Sequence, residues 1–328
     1  CANMNIEQVP AFIREWQNQI LTTSGIERDY EARLLDLMGS KPIKVVSGFR
    51  RSGKSHLVRK CILKAIKRNQ YALSNVLYLN FEDFRLGSHK TPQKVDEIVK
   101  LFLTDLAGAG KKLLVFDEIQ LVSEWNSLIR TLYERNVDVE IILTGSNSEL
   151  LSSEISSSLA GRFIELTVQP FSFKETLIYL NRLPAQSREF DSNSEDLSAI
   201  FRGFLKYGGL PEILSIQSDG AKVSYLEGIV SKVILDDIIQ RFRIRHPVIL
   251  EQLVRYLTGM SGNIISYVRI NNLLKSEQIQ IKKDTIVKYI EFIQKSFALS
   301  RLDKFDWKLK RHFSAKYKLF CIDTGLVN

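Results

Sequence analysis

The eight residues Gly48, Phe49, Arg50, Arg51, Ser52, Gly53, Lys54 and Ser55 fit the pattern G-x-x-x-x-G-K-[ST], and they lie between a strand-like run and a helix-like run. Ile43 to Ser47 reads as a short buried strand. From His56 to Arg68 the apolar residues Leu57, Val58, Cys61, Ile62, Ala65 and Ile66 recur at helical spacing. Strand, glycine-rich loop and helix in that order is the context in which this pattern makes a phosphate cradle. Gly48 and Gly53 let the backbone wrap closely, so successive N–H groups and the helix N-terminus face an anion. Lys54 adds a charge for the β- and γ-phosphates, and the Ser55 hydroxyl is the expected ligand of Mg²⁺. The expected nucleotide-binding stretch is therefore Gly48 to His56, with ATP and Mg²⁺ as cofactors. A chance Gly-Lys-Ser turn would not bring both glycines and both flanks with it.

Four further strands are predicted at 75–81, 112–116, 139–143 and 163–168, separated by helical patterns, which argues for a parallel, doubly wound α/β sheet. Asp117 and Glu118 follow the continuous apolar run Lys112 to Phe116, at the carboxyl edge of the sheet. Asp117 is expected to hold the hydration shell of Mg²⁺, and Glu118 to polarise an attacking water. The bland alternative for the pair is a helix N-cap. Asn147 lies past the fourth strand with Thr144 just before it, where a polar side chain would meet the γ-phosphate or the water; a turn residue is the alternative. Arg162 precedes the fifth strand. In ring-forming ATPases an arginine there reaches a neighbouring subunit as a finger, whereas alone it would pair with its own helix end. Arg50 and Arg51, inside the loop, receive no individual role.

Beyond Pro170 the pattern turns helical, with a polar stretch at 186–196 and a break at Gly208-Gly209-Leu210-Pro211. Three short helices near 248–260, 266–275 and 283–296, then strands at 297–306 and 317–322, have the layout of a winged helix. The expected domains are a nucleotide-binding core over 1–185, a helical lid over 186–245 and a winged-helix-like domain over 246–328. Charge is uneven: residues 221–328 hold 19 Lys and Arg against 10 Asp and Glu, which accounts for the whole net charge of +9. A basic end on a neutral body suggests a polyanion, with DNA the expected partner, and cations at 282, 283, 288, 304, 308, 310, 311 and 316 as phosphate contacts. A solvated surface or a protein-binding winged helix is the alternative. No apolar run reaches the length needed to cross a bilayer, so the expected location is cytoplasmic with no membrane partner. Three isolated cysteines indicate neither a disulfide framework nor a zinc site.

Taken together, GFRRSGKS, LNFED at 79–83, LLVFDEIQ at 113–120, ILTGSNSELL at 142–151, LAGR at 159–162, QPFSFKE at 169–175 and YGGLPE at 207–212 resemble a prokaryotic AAA+ ATPase family. That family is similar in layout to archaeal origin-recognition-type ATPases, with a winged helix after the lid. The resemblance implies a three-layer AAA+ P-loop sandwich with five parallel strands in the order 5-1-4-3-2, and it puts Arg162 at the finger position of a homo-oligomer. Segment 208–211 stands where many AAA+ proteins carry a sensor 2 arginine, and this chain has none there. Residues 316–326 resemble the opening of a further, nuclease-like domain. The reading that results is an ATP hydrolase that couples turnover to a basic winged helix on DNA. A slow nucleotide switch acting on a protein partner is the alternative, and a P-loop small-molecule kinase fits less well because an Asp-Glu pair suits water activation.

Overall fold

The computed structural model describes residues 5–135, 138–146, 161–183, 194–276, 279, 281–303 and 317–327. These form two compact units, one of residues 1–48 with 53–168 and the other of residues 49–52 with 169–328.

The first unit is built on five parallel strands: β1 (Ile43–Ser47), β2 (Val76–Asn80), β3 (Lys112–Asp117), β4 (Val139–Gly145) and β5 (Phe163–Thr167). Their spatial order is β2-β3-β4-β1-β5, the order that the resemblance implied. Every residue of Leu113–Phe116 is buried, as a parallel strand covered by helices on both faces requires. The covering helices are α1 (Val9–Leu21), α2 (Asp29–Leu37), α3 (Lys54–Lys67), α4 (Pro92–Leu101) and α5 (Trp125–Arg135). Helix α1 buries Val9, Phe12, Ile13, Trp16 and Ile20, an i, i+3, i+4 stripe, and Trp16 stacks on Tyr78 with ring centroids 5.2 Å apart.

Two strand ends run further than the apolar pattern predicts. Asp117 closes β3 because its backbone is still paired, opposite Asn80 and accepting the N–H of Phe81 at 2.9 Å. Thr144 and Gly145 likewise remain in β4, opposite Val46 and Ser47 of β1. Hydrophobicity marks where a strand is buried; hydrogen bonding decides where it stops. Consequently Asp117 and Thr144 stand on the rigid sheet and not on a loop after it.

The second unit begins with α6 (Phe173–Tyr179), whose N-terminus is closed by a capping box: Ser172 Oγ accepts the Glu175 N–H at 3.2 Å, and Glu175 Oε2 accepts the Ser172 N–H at 2.9 Å. Helices α7 (Ser194–Tyr207) and α8 (Asp219–Lys232) follow, the latter extended by wider π-type turns over Val233–Gln240. Three helices come next, α9 (Pro247–Gly259), α10 (Tyr267–Ser276) and α11 (Lys283–Lys295), then an antiparallel pair, β6 (Leu299–Asp303) with β7 (Tyr317–Cys321). Three helices followed by a hairpin is the winged-helix layout. Leu250, Leu253, Leu257, Ile270, Ile286, Ile290, Ile293 and Leu319 share its core. Residues 317–327, which the resemblance reads as the opening of a further domain, supply the second strand of this hairpin and the turn after it.

Candidate functional site

In the first unit the strand ends and the loop converge. Gly48 follows β1 with φ +138°, and a Cβ there would lie 2.2 Å from the carbonyl oxygen of Val168, so the loop leaves the sheet through a gap only glycine fits. Gly53, at φ +92°, turns the chain into α3, and Lys54 and Ser55 occupy the first turn of that helix. The backbone N–H groups of a helix start have no intrahelical partner and attract anions.

Around this start the structure brings together four of the residues singled out in the sequence. Ser55 Oγ donates to Asp117 Oδ1 at 2.8 Å. Lys54 Nζ lies 3.9 Å from Glu118 Oε1, with both side chains largely withdrawn from water. Asp117 is 1% exposed, and burial, then the neighbouring charge of Glu118, pushes its carboxyl above the usual carboxylate range; hydrogen bonds from Thr144, Tyr78 and Ser55 oppose the shift. Glu118 has a left-handed backbone, φ +56°, which turns the chain off the strand so that successive carboxylates serve different partners.

Three residues that sequence reasoning passed over hold this pair. Tyr78 donates its hydroxyl to Asp117 Oδ2 at 2.6 Å, Ser146 Oγ donates to Glu118 Oε2 at 3.1 Å, and the amide of Gln120 donates to the same oxygen. The signal for Tyr78 was a phenol set among the aliphatic residues Val76, Leu77 and Leu79 of β2. Thr144 couples the two acids: its hydroxyl donates to Asp117 Oδ1 and accepts the Glu118 N–H at 3.0 Å. Hard oxygens on Ser55 and Asp117 this close together suit a divalent cation, and the ammonium beside a helix start suits the phosphates such a cation accompanies.

Elsewhere the predicted residues are dispersed. Asn147 lies outside the described residues, as do residues 304–316, which carry five of the cations assigned to DNA. Arg162 donates to Glu134 at 2.7 Å and sits over the Tyr133 ring. His56 is exposed on the first turn of α3. Phe49, Arg50, Arg51 and Ser52 belong to the second unit: Phe49 is 1% exposed within its apolar cluster, Arg50 pairs with Asp237 and Arg51 with Glu212.

Residues 40–177 match the model of a family described as an AAA domain, and residues 198–328 match a domain of unknown function, DUF8612. An uncharacterized protein of Haemophilus influenzae is 30% identical over 91% of this chain and 71% of its own length. The chain belongs to a prokaryotic AAA+ ATPase family. The uncharacterized protein MJ1544 of Methanocaldococcus jannaschii is 32% identical over 91% of the AAA+ chain, which spans 63% of that relative. Among solved structures, the Walker-type ATPase PABY2304 of Pyrococcus abyssi is similar in fold, with a TM-score of 0.62 at 19% identity over 92% of this chain and 94% of the other. In the AAA+ frame the Ser55–Asp117 and Lys54–Glu118 contacts fall where loop and sheet edge meet.

Proposed function

We propose that this AAA+ chain hydrolyses ATP with Mg²⁺ and that its second unit passes the nucleotide state to a DNA-bound C-terminal region. The observation that carries the reading is the meeting of Lys54 and Ser55 with Asp117 and Glu118 at the end of β3. Lys54 and the loop amides would bind the β- and γ-phosphates. Ser55 and Asp117 would hold Mg²⁺, which neutralises charge on the phosphates when bound. Glu118, steadied by Ser146 and Gln120 through one oxygen, would orient the attacking water with the other. Arg162, 38% exposed, would serve a neighbouring copy after leaving Glu134. For DNA the support is the basic balance after residue 220 and the exposed cations Lys282, Lys283 and Lys288 around the start of α11. Among the described residues no helix is long and apolar enough to cross a membrane, and the proposed site of action is the cytoplasm.

Phosphate release by Glu118→Gln tests the enzyme reading. The expected result is a loss of turnover of about 100-fold or more with ATP affinity kept within about threefold. Function kept by this variant would favour the slow switch, and unchanged turnover would remove Glu118 from the water-orienting role. A salt series of binding to a random duplex tests the DNA reading, which a flat response would remove.

A further inference from the structure

The tip of the phosphate loop carries three large side chains, and the second unit takes all of them. Phe49 is buried in the cluster that contains Tyr207 and Leu210. Arg50 Nη1 reaches Asp237 Oδ1 at 3.5 Å, and Asp237 is buried. Arg51 Nη1 donates to Glu212 Oε1 at 2.7 Å while Tyr225 donates its hydroxyl to Glu212 Oε2 at 2.8 Å. Arg51 has a left-handed backbone, φ +64°, a conformation uncommon for residues other than glycine, and its ion pair with Glu212 is half-exposed. Glu212 follows directly on Gly208-Gly209-Leu210-Pro211, the segment without an arginine. Here the carboxylate comes from the helical unit and the arginine from the loop.

From this arrangement we infer that Arg51 and Glu212, backed by Tyr225, Arg50–Asp237 and Phe49, form a coupling device between the loop backbone and the helical unit. Arg51 and Glu212 are positioning residues: through their paired groups they set the shape of the loop. Residues 49–52 lie between Gly48 and Gly53, so whatever fixes their side chains fixes the backbone amides that face the anion. A loop held ready binds phosphate without first being ordered, which raises affinity. By linkage the effect is reciprocal, and nucleotide in the loop strengthens the grip of Glu212 on Arg51. The opposing signs matter: replacing Glu212 by a cation would push Arg51 away. The inference rests on the proposal that the loop binds nucleotide.

Fluorescent ADP titrated into the full chain tests it. Glu212→Gln is expected to weaken binding about five- to tenfold and Glu212→Lys further. In an Arg51→Asn background, where asparagine tolerates the left-handed backbone, each Glu212 change should alter affinity less than about twofold, because its effect runs through Arg51. Wild-type affinity in both Glu212 variants, or equal losses with and without Arg51, would overturn the coupling. The isosteric Glu212→Gln serves if Glu212→Lys fails to fold. A wild-type chain that binds no ADP, or a Lys54→Ala variant that binds it as well as wild type, would instead overturn the nucleotide reading on which the coupling depends.

Discussion

Tyr78 donates its hydroxyl to Asp117 Oδ2 at 2.6 Å, so one oxygen of the strand-end carboxylate is committed to the sheet while the other meets Ser55 and Thr144. These three hydrogen bonds fix the orientation of the carboxylate. Both residues lie on paired strands, Tyr78 opposite Val115 and Asp117 opposite Asn80, so the hydroxyl reaches diagonally across the β2–β3 ladder.

Removing this anchor has a defined consequence. If Asp117 holds Mg²⁺ as proposed, Tyr78→Phe is expected to raise the Mg²⁺ concentration for half-maximal ATP turnover about tenfold, since groups behind a metal ligand commonly contribute 10- to 100-fold in affinity. Metal titration of phosphate release checks this. Binding of ADP without metal should stay near wild type.

A second buried pair lies at the opposite edge of the sheet. Lys44 Nζ is 2.8 Å from Glu140 Oε1, and Glu140 Oε2 accepts the Gly39 N–H at 2.7 Å and the Tyr71 hydroxyl. Burial pulls the Lys44 ammonium below its ordinary pKa, and Glu140 opposes that pull, while the Ser40 carbonyl accepts a further hydrogen bond from the ammonium. Glu140→Gln is expected to cost about 3–5 kcal/mol by leaving the buried ammonium without a countercharge. Adding Lys44→Met should recover about 1–2 kcal/mol, read from urea midpoints at constant slope.

Acid should act through Glu31. This side chain is 1% exposed and meets Lys60 and Lys64 at 2.8 Å each. Burial alone would raise its pKa, but hydrogen bonds from Lys60, Lys64 and the Arg28 N–H outweigh that and hold it below 4.5. A depressed folded pKa favours the ionised form, so the contribution is complete above the unfolded value and fades as pH falls through the folded one. Glu31→Gln is therefore expected to be less stable than wild type by about 1.5–3 kcal/mol at neutral pH, with the gap closing below about pH 4.5. Denaturant titrations across that range measure the gap.

In the second unit, Asp323 clasps two segments. Its Oδ2 accepts the Gly209 N–H at 2.7 Å and its Oδ1 the Gly325 N–H at 2.9 Å, while Thr324 Oγ1 donates to the Phe204 carbonyl at 3.0 Å. A Cβ on Gly325 would meet the Tyr207 carbonyl oxygen at 2.2 Å, so the two segments interlock at backbone distance. Asp323→Ala leaves two buried donors unpaired and is expected to cost about 2–4 kcal/mol. Gly325→Ala should be at least as damaging. A thermal melt of each variant, followed by amide exchange at Gly209, distinguishes local release from global loss.

Much of the fold was legible before any coordinates. The strands announced themselves as short apolar runs because parallel strands are buried on both faces, and the loop announced itself because a phosphate cradle requires glycine at fixed steps from lysine. Lys54, Ser55, Asp117 and Glu118 were found that way, and the structure brings them together. Such features are local: each follows from a few neighbouring residues.

Only the tertiary structure decided who holds them. Tyr78 and Asp117 are 39 residues apart in sequence, Arg51 and Glu212 are 161 apart, and Gly209 and Asp323 are 114 apart. A hydroxyl, a carboxylate or a backbone N–H becomes a partner through the register of strands and the burial around it, and no spacing rule encodes either. The chain's sequence therefore determined that a phosphate loop faces an acidic strand end; its tertiary structure decided which oxygen of Asp117 is tied to the sheet and where the arginines of the loop go.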